Sequence, residues 1–100
     1  MIKFVRANPS TAQTNAALIA PINNKGVRVQ SIYMSSDTEL TVTIVNSEAH
    51  TILWRQYVGA RGGAHVPVDF WSTWHEGLDY TTSTDGNVFL MVGFEYLGRG

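Results

Sequence analysis

One hundred residues with no cysteine, and seven Lys and Arg against eight Asp and Glu for a formal charge of −1, describe one compact domain that packing alone must hold. The missing cysteines exclude a disulfide framework and a thiolate metal site, and the balanced charge excludes the cationic footprint of a nucleic-acid partner. No run approaches the roughly 18 apolar residues of a membrane span, and MIKFVRANPS lacks the apolar stretch of a signal peptide, so a soluble chain made in the cytoplasm, with no membrane partner, is expected.

Val, Ile and Thr number 26, whereas Leu, Lys, Glu and Gln together number 15. That bias favours strands, because branched side chains suit a pleated surface and lose rotamer freedom in a helix. In chain order, IKFVR (Ile2 to Arg6) alternates and predicts a first short strand. Residues 7–15 are small and polar, and are expected to form an extended, mobile arm. Residues 14–22 are expected to be extended, because Pro21 and Asn23-Asn24 would stop any helix begun at Ala16. NNKG (Asn23 to Gly26) is a turn signal. In GVRVQSIYMSS the buried parity passes from Val27 and Val29 to Ile32 and Met34, which predicts a bulge near Ser31 or a strand covered on both faces.

ELTVTIVNS has the cleanest alternation, with Leu40, Val42 and Ile44 inward and Thr41 and Thr43 outward. AHTILWRQYVG follows as a strand, and GARGG (Gly59 to Gly63) as a flexible loop. After the segment VPVDFWSTWHEGLDY, Asp85-Gly86 is the strongest two-residue hairpin signal. NVFLMVGFEYL places Val88, Leu90, Val92, Phe94 and Tyr96 on one face, and Gly93 predicts a close approach by a neighbouring ring or backbone. Seven or eight short strands at this spacing predict a β-sandwich or barrel.

Enzyme motifs are absent: there is no GxSxG elbow, P-loop or HExxH. His75, Glu76 and Asp79 are the nearest approach to a hydrolytic or metal cluster. On a strand, positions 75 and 79 would lie about 13 Å apart, so sharing an ion needs a tight turn at Gly77. The simpler reading is solvated rim residues beside that turn, with no catalytic residue, no metal and no cofactor. Arg61 reads as a solvated loop charge, and the acidic pairs Asp37/Glu39 and Asp79/Asp85 as turn chemistry rather than a Ca²⁺ site.

The aromatics weigh more. Burying one Trp removes roughly 150–250 Å² from water, a gross gain of about 4–6 kcal/mol. Trp54, Trp71, Trp74, Phe94 and Tyr96 are therefore the expected anchors of the core or of a subunit interface. The competing reading makes Trp71, Trp74 and Tyr80 a stacking platform for sugar rings.

The glycine loop Gly59 to Gly63, Pro67, Phe70-Trp71, Gly77-Leu78, the Thr/Ser run and the valine-rich last strand ending at Tyr96 follow VRVQSIYMSS and ELTVTIVN in an order that resembles small tailed-phage virion β-sandwich proteins, including capsid decoration (cement) proteins. The resemblance covers residues 14–97. It implies an all-β, jelly-roll-like or Ig-like antiparallel sandwich in a single domain, 1–100. It also implies a non-enzymatic protein on the capsid surface of the virion that forms a homotrimer and binds the major capsid protein. Under this reading Asn8, Pro9, Thr11, Gln13 and Asn15 belong to a capsid-binding arm. The alternative implied by the same fold is a tail-tip or surface module that binds a glycan or receptor.

Overall fold

The computed structural model describes residues 2–98, and residues 1, 99 and 100 of the expected 1–100 domain lie outside that range. Eight strands follow one another: β1 (Lys3–Ala7), β2 (Ala16–Ile19), β3 (Lys25–Ser36), β4 (Leu40–Asn46), β5 (Ile52–Val58), β6 (Gly62–Trp71), β7 (Leu78–Thr82) and β8 (Val88–Gly98). They pair antiparallel into a front sheet of order β1-β8-β3-β6 and a back sheet of order β2-β7-β4-β5. Every connection except β4–β5 crosses from one sheet to the other. Eight strands in two four-stranded sheets with this order form a jelly roll, which decides between the two expected sandwiches; an Ig sandwich groups its strands differently. The long dimension of 43 Å is close to the length of the twelve-residue β3 at about 3.3 Å per residue.

Alternation builds the core. Val27, Val29, Ile32, Leu90 and Val92 of the front sheet meet Val42, Ile44 and Leu78 of the back sheet, all fully buried. Each such aliphatic contributes about 1.5–3 kcal/mol by leaving water. The parity change in β3 is a bulge at Gln30: Val29 pairs with Phe94 and Ser31 with Gly93, and nothing on β8 faces Gln30. The extra residue lets Val27 and Val29, then Ile32 and Met34, all point inward. Against β6 the register shifts at the same place.

Gly93 is closely approached, as expected. A Cβ there would stand 2.5 Å from the Ser31 hydroxyl and 3.0 Å from the Phe4 ring. Gly77 is required more strictly, since a Cβ would fall 2.0 Å from the Ile19 carbonyl oxygen. Among the described residues no glycine has positive φ; Asn15, Asn24, His50, Arg61 and His75 hold the left-handed positions instead. The turn at NNKG therefore rests on Asn24 (φ 63°) rather than on Gly26.

Three local expectations are overturned. Asp85-Gly86 is no hairpin, because β7 and β8 lie in different sheets; the Asp85 carboxylate instead accepts from the Ala12 amide. Residues 59–62 form a tight turn closed by Gly62 N–H to Gly59 C=O at 2.9 Å, rather than a loose loop. Residues 7–15 lie along β7 and the loop after it rather than projecting as an arm. The Gln13 amide donates to the Thr82 hydroxyl, the Asn15 amide to the Thr81 hydroxyl, Thr82 N–H to Gln13 C=O and Val88 N–H to Pro9 C=O. A polar segment beside a strand rich in hydroxyls finds there the partners that water would otherwise supply.

Candidate interaction surfaces

The five expected anchors divide. Phe94 is buried in the core and its ring meets Tyr96 edge-on, with centroids 5.6 Å apart. Tyr96 and Trp54 pack partly buried against the core, Trp54 from the inward row opposite Ile44. Trp71 is 47% exposed and lies outside the core. Trp74 is half-buried beside it; a Cβ on Gly26 would touch both indoles, at 3.4 Å from Trp71 and 3.6 Å from Trp74. Branched aliphatic residues fill most of the interior around Phe94 and Tyr80, and Trp71 is left outside it.

Trp71, Trp74 and Tyr80 do not share one exposed face as a sugar platform would require. Tyr80 is 6% exposed, on the inward row of β7 opposite Ile44, whereas Trp71 faces outward on the front sheet.

The outward face of the front sheet is the first surface. Its register sets Arg6, Met91, Tyr33 and His65 in one row, and Phe4, Gly93, Ser31 and Pro67 in the next. Tyr33 and His65 stack with centroids 4.1 Å apart and planes 2° from parallel. Phe4, 58% exposed, lies over the space that Gly93 leaves open. Below them Arg28 pairs with Trp71 on β6 and Glu95 on β8 in register. Its guanidinium binds both Asp69 oxygens, at 2.9 and 3.0 Å, and reaches Glu95 at 3.9 Å. The Arg28 hydrogen bond holds the Asp69 carboxyl below its ordinary value. The face is thus aromatic and apolar with fixed charges around it. Sequence reading passed over Phe4, Tyr33 and His65; the signal was present in the bulge, which turns Tyr33 outward once Ile32 is inward.

The outward face of the back sheet is of another kind. Thr81, Thr43 and Arg55 form one row, and Thr41 stands opposite Tyr57. With Ser83 they line a shallow groove of about 290 Å³. The Tyr57 hydroxyl donates to the Glu39 carboxylate.

The loops fall at the two ends of the sandwich. One end gathers residues 20–24, 47–51 and 72–77. Here Glu76 is buried rather than on a solvated rim, and accepts the Glu48 and Ala49 amides at 2.8 and 2.7 Å. Asp79 is buried too, with His50 Nε2 3.9 Å from its carboxylate, and burial raises its pKa. His75 is exposed, and its Nδ1 accepts the Asn24 amide at 2.8 Å. These carboxylates satisfy loop backbone or sit under cover, and among the described residues no three His, Asp or Glu side chains gather as an ion site.

The other end gathers residues 8–15, 37–39, 59–61 and 83–87. Asp37 ties it together: its carboxylate accepts the Asn87 amide N–H at 2.9 Å, the Asn87 side-chain amide at 2.8 Å and the Thr38 hydroxyl at 3.0 Å. These bonds, those from Asn87 foremost, lower its pKa. An open groove of about 460 Å³ lies beside it. Among known proteins, no family model, curated sequence or solved structure matches this chain.

Proposed function

We propose that this protein is a non-enzymatic structural subunit of a tailed-phage virion, of the capsid-decoration kind, which self-associates as a trimer and binds the major capsid protein. The observation that carries this reading is the outward face of the front sheet. A monomer this small places Phe4, Trp71, Met91, Tyr33 and Pro67 on one continuous face, and so leaves unused the transfer free energy that an interface would recover. The jelly-roll order adds support, being an architecture that capsid proteins share with lectins and cupins, and so does the resemblance over residues 14–97. The face carries Arg6 and Arg28 together with Asp69 and Glu95, a mixture that suits a second copy of itself.

Light scattering on the purified chain tests the first half: a trimer is expected, and a strict monomer at high concentration overturns it. Incubation with undecorated tailed-phage heads tests the second, where bound protein should raise the temperature at which heads release their DNA. No binding and no shift reject the capsid role.

A further inference from the structure

We propose that the groove at the loop end marked by Asp37 is a binding site for a sugar that carries a carboxylate. All four connections at this end contribute to it: Asn8 from β1–β2, Asp37 from β3–β4, Arg61 from β5–β6 and Asn87 from β7–β8, with Ser35 and the Phe89 ring on its strand side. Its volume of about 460 Å³ is in the range of small-molecule sites, ~300–1,000 Å³.

The unused polar groups specify the ligand. The Arg61 guanidinium, the Asn8 side-chain amide and the Ser35 hydroxyl have no hydrogen-bond or ion-pair partner among the described residues. Asn87 spends its amide N–H groups on Asp37 and keeps its side-chain oxygen. The groove therefore offers one unpaired cation and a mixture of neutral donors and acceptors, which is the set that vicinal hydroxyls need. Phe89 supplies a flat apolar surface for the C–H face of a ring. Arg61 balances one negative charge in a groove that already holds the Asp37 carboxylate, so a singly charged carboxylate can fork onto the guanidinium in bidentate form and leave the sugar hydroxyls to Asn8, Ser35 and Asn87.

Ser35 and Phe89 continue the outward row of the front sheet next to Tyr33 and Met91, whereas Asn8, Asp37, Arg61 and Asn87 lie in the loops beyond it, so light scattering reports on the association and the titration on the groove.

The test titrates ¹⁵N-labelled protein with methyl glycosides of uronic acids and with their neutral hexose counterparts, which differ only at the carboxylate. Amide resonances of Asn8, Asp37, Arg61, Gly62 and Asn87 should move with at least one uronide, at least tenfold more tightly than with its neutral partner, and binding should weaken as salt rises. Arg61→Gly should abolish the preference while leaving Tm unchanged or higher, so that loss of binding is separated from loss of fold. No uronide moving these resonances, equal affinity for the neutral sugars, or equal response to acetate or inorganic phosphate would each overturn the assignment.

Discussion

On the outside of the front sheet, Phe4, Met91, Tyr33 and Trp71 present rings and carbon to solvent; on the outside of the back sheet the corresponding rows are Thr81, Thr43 and Arg55, and Thr41 beside Tyr57, whose hydroxyl is bound to the Glu39 carboxylate. Both faces come from the same period-two alternation over one shared core. They differ in what each needs from its surroundings. A threonine face is already satisfied by water and by its neighbours, as where Ser83 Oγ accepts the Thr41 amide at 2.8 Å. An aromatic face is satisfied only by another surface. Two faces of one sandwich can therefore serve solubility and association separately, and the residues that hold the fold need not be those that make contacts.

The largest effects should come from what both faces share. Gly77→Ala drives a Cβ into the Ile19 carbonyl, which is backbone and cannot swing aside, so a loss of about 3 kcal/mol or more is expected in urea unfolding. Ile44→Ala empties the interior between the sheets and should cost about 2–5 kcal/mol; a loss below about 1 kcal/mol would show that the centre of the core lies elsewhere. Trp71→Ala should cost less, about 1–2 kcal/mol, because half of the side chain is in water already. If Trp71→Ala proved more damaging than Ile44→Ala, the distinction between face and core would fail.

Association should separate the faces directly. Phe4→Asp places a charge on the aromatic face at its β1 edge and should convert the proposed trimer to monomer by light scattering, with far-UV circular dichroism unchanged. Thr41→Lys on the back sheet should leave the proposed trimer intact. Equal effects from both substitutions would deny any special role to the front sheet.

The smallest effect concerns pH. Burial raises the Asp79 carboxyl above its ordinary value, so the folded state holds that proton more tightly than the unfolded state does. Its charge therefore costs stability at neutral pH, and the cost disappears as pH falls through the folded pKa. Asp37 and Asp69 have the opposite sign: hydrogen bonds lower them, and the stability they add is lost as pH falls through their folded values. Asp79→Asn should raise Tm slightly at neutral pH and converge with the parent in acid, in calorimetric scans across pH. A fall in Tm at neutral pH would mean that the His50 contact outweighs burial.

Residue by residue, the features legible in the sequence are local. The alternation of Leu40, Val42 and Ile44, the parity change resolved at Gln30 and the crowding at Gly93 depend on period two and on side-chain volume, and each is present in the structure. The misreadings are relational. Asp85-Gly86 has hairpin chemistry, but its flanking strands pair in different sheets. Asn8 to Asn15 has the composition of a free arm, but β7 offers Thr81 and Thr82 at the right spacing to bind it. Trp71 has the area of a core residue, but smaller branched residues already fill the interior.

The chain by itself determined an all-β domain, the strands outside β6 and β7, the bulge and the inward rows of β3, β4 and β8, because those depend on backbone sterics and alternating hydrophobicity. Tertiary structure alone decided which strands are neighbours, and therefore which rings share an outward face and which four loops enclose a groove. Pairing joins residues such as Phe4 with Gly93, or Asn8 with Arg61, that lie far apart along the chain, and no local period encodes that choice.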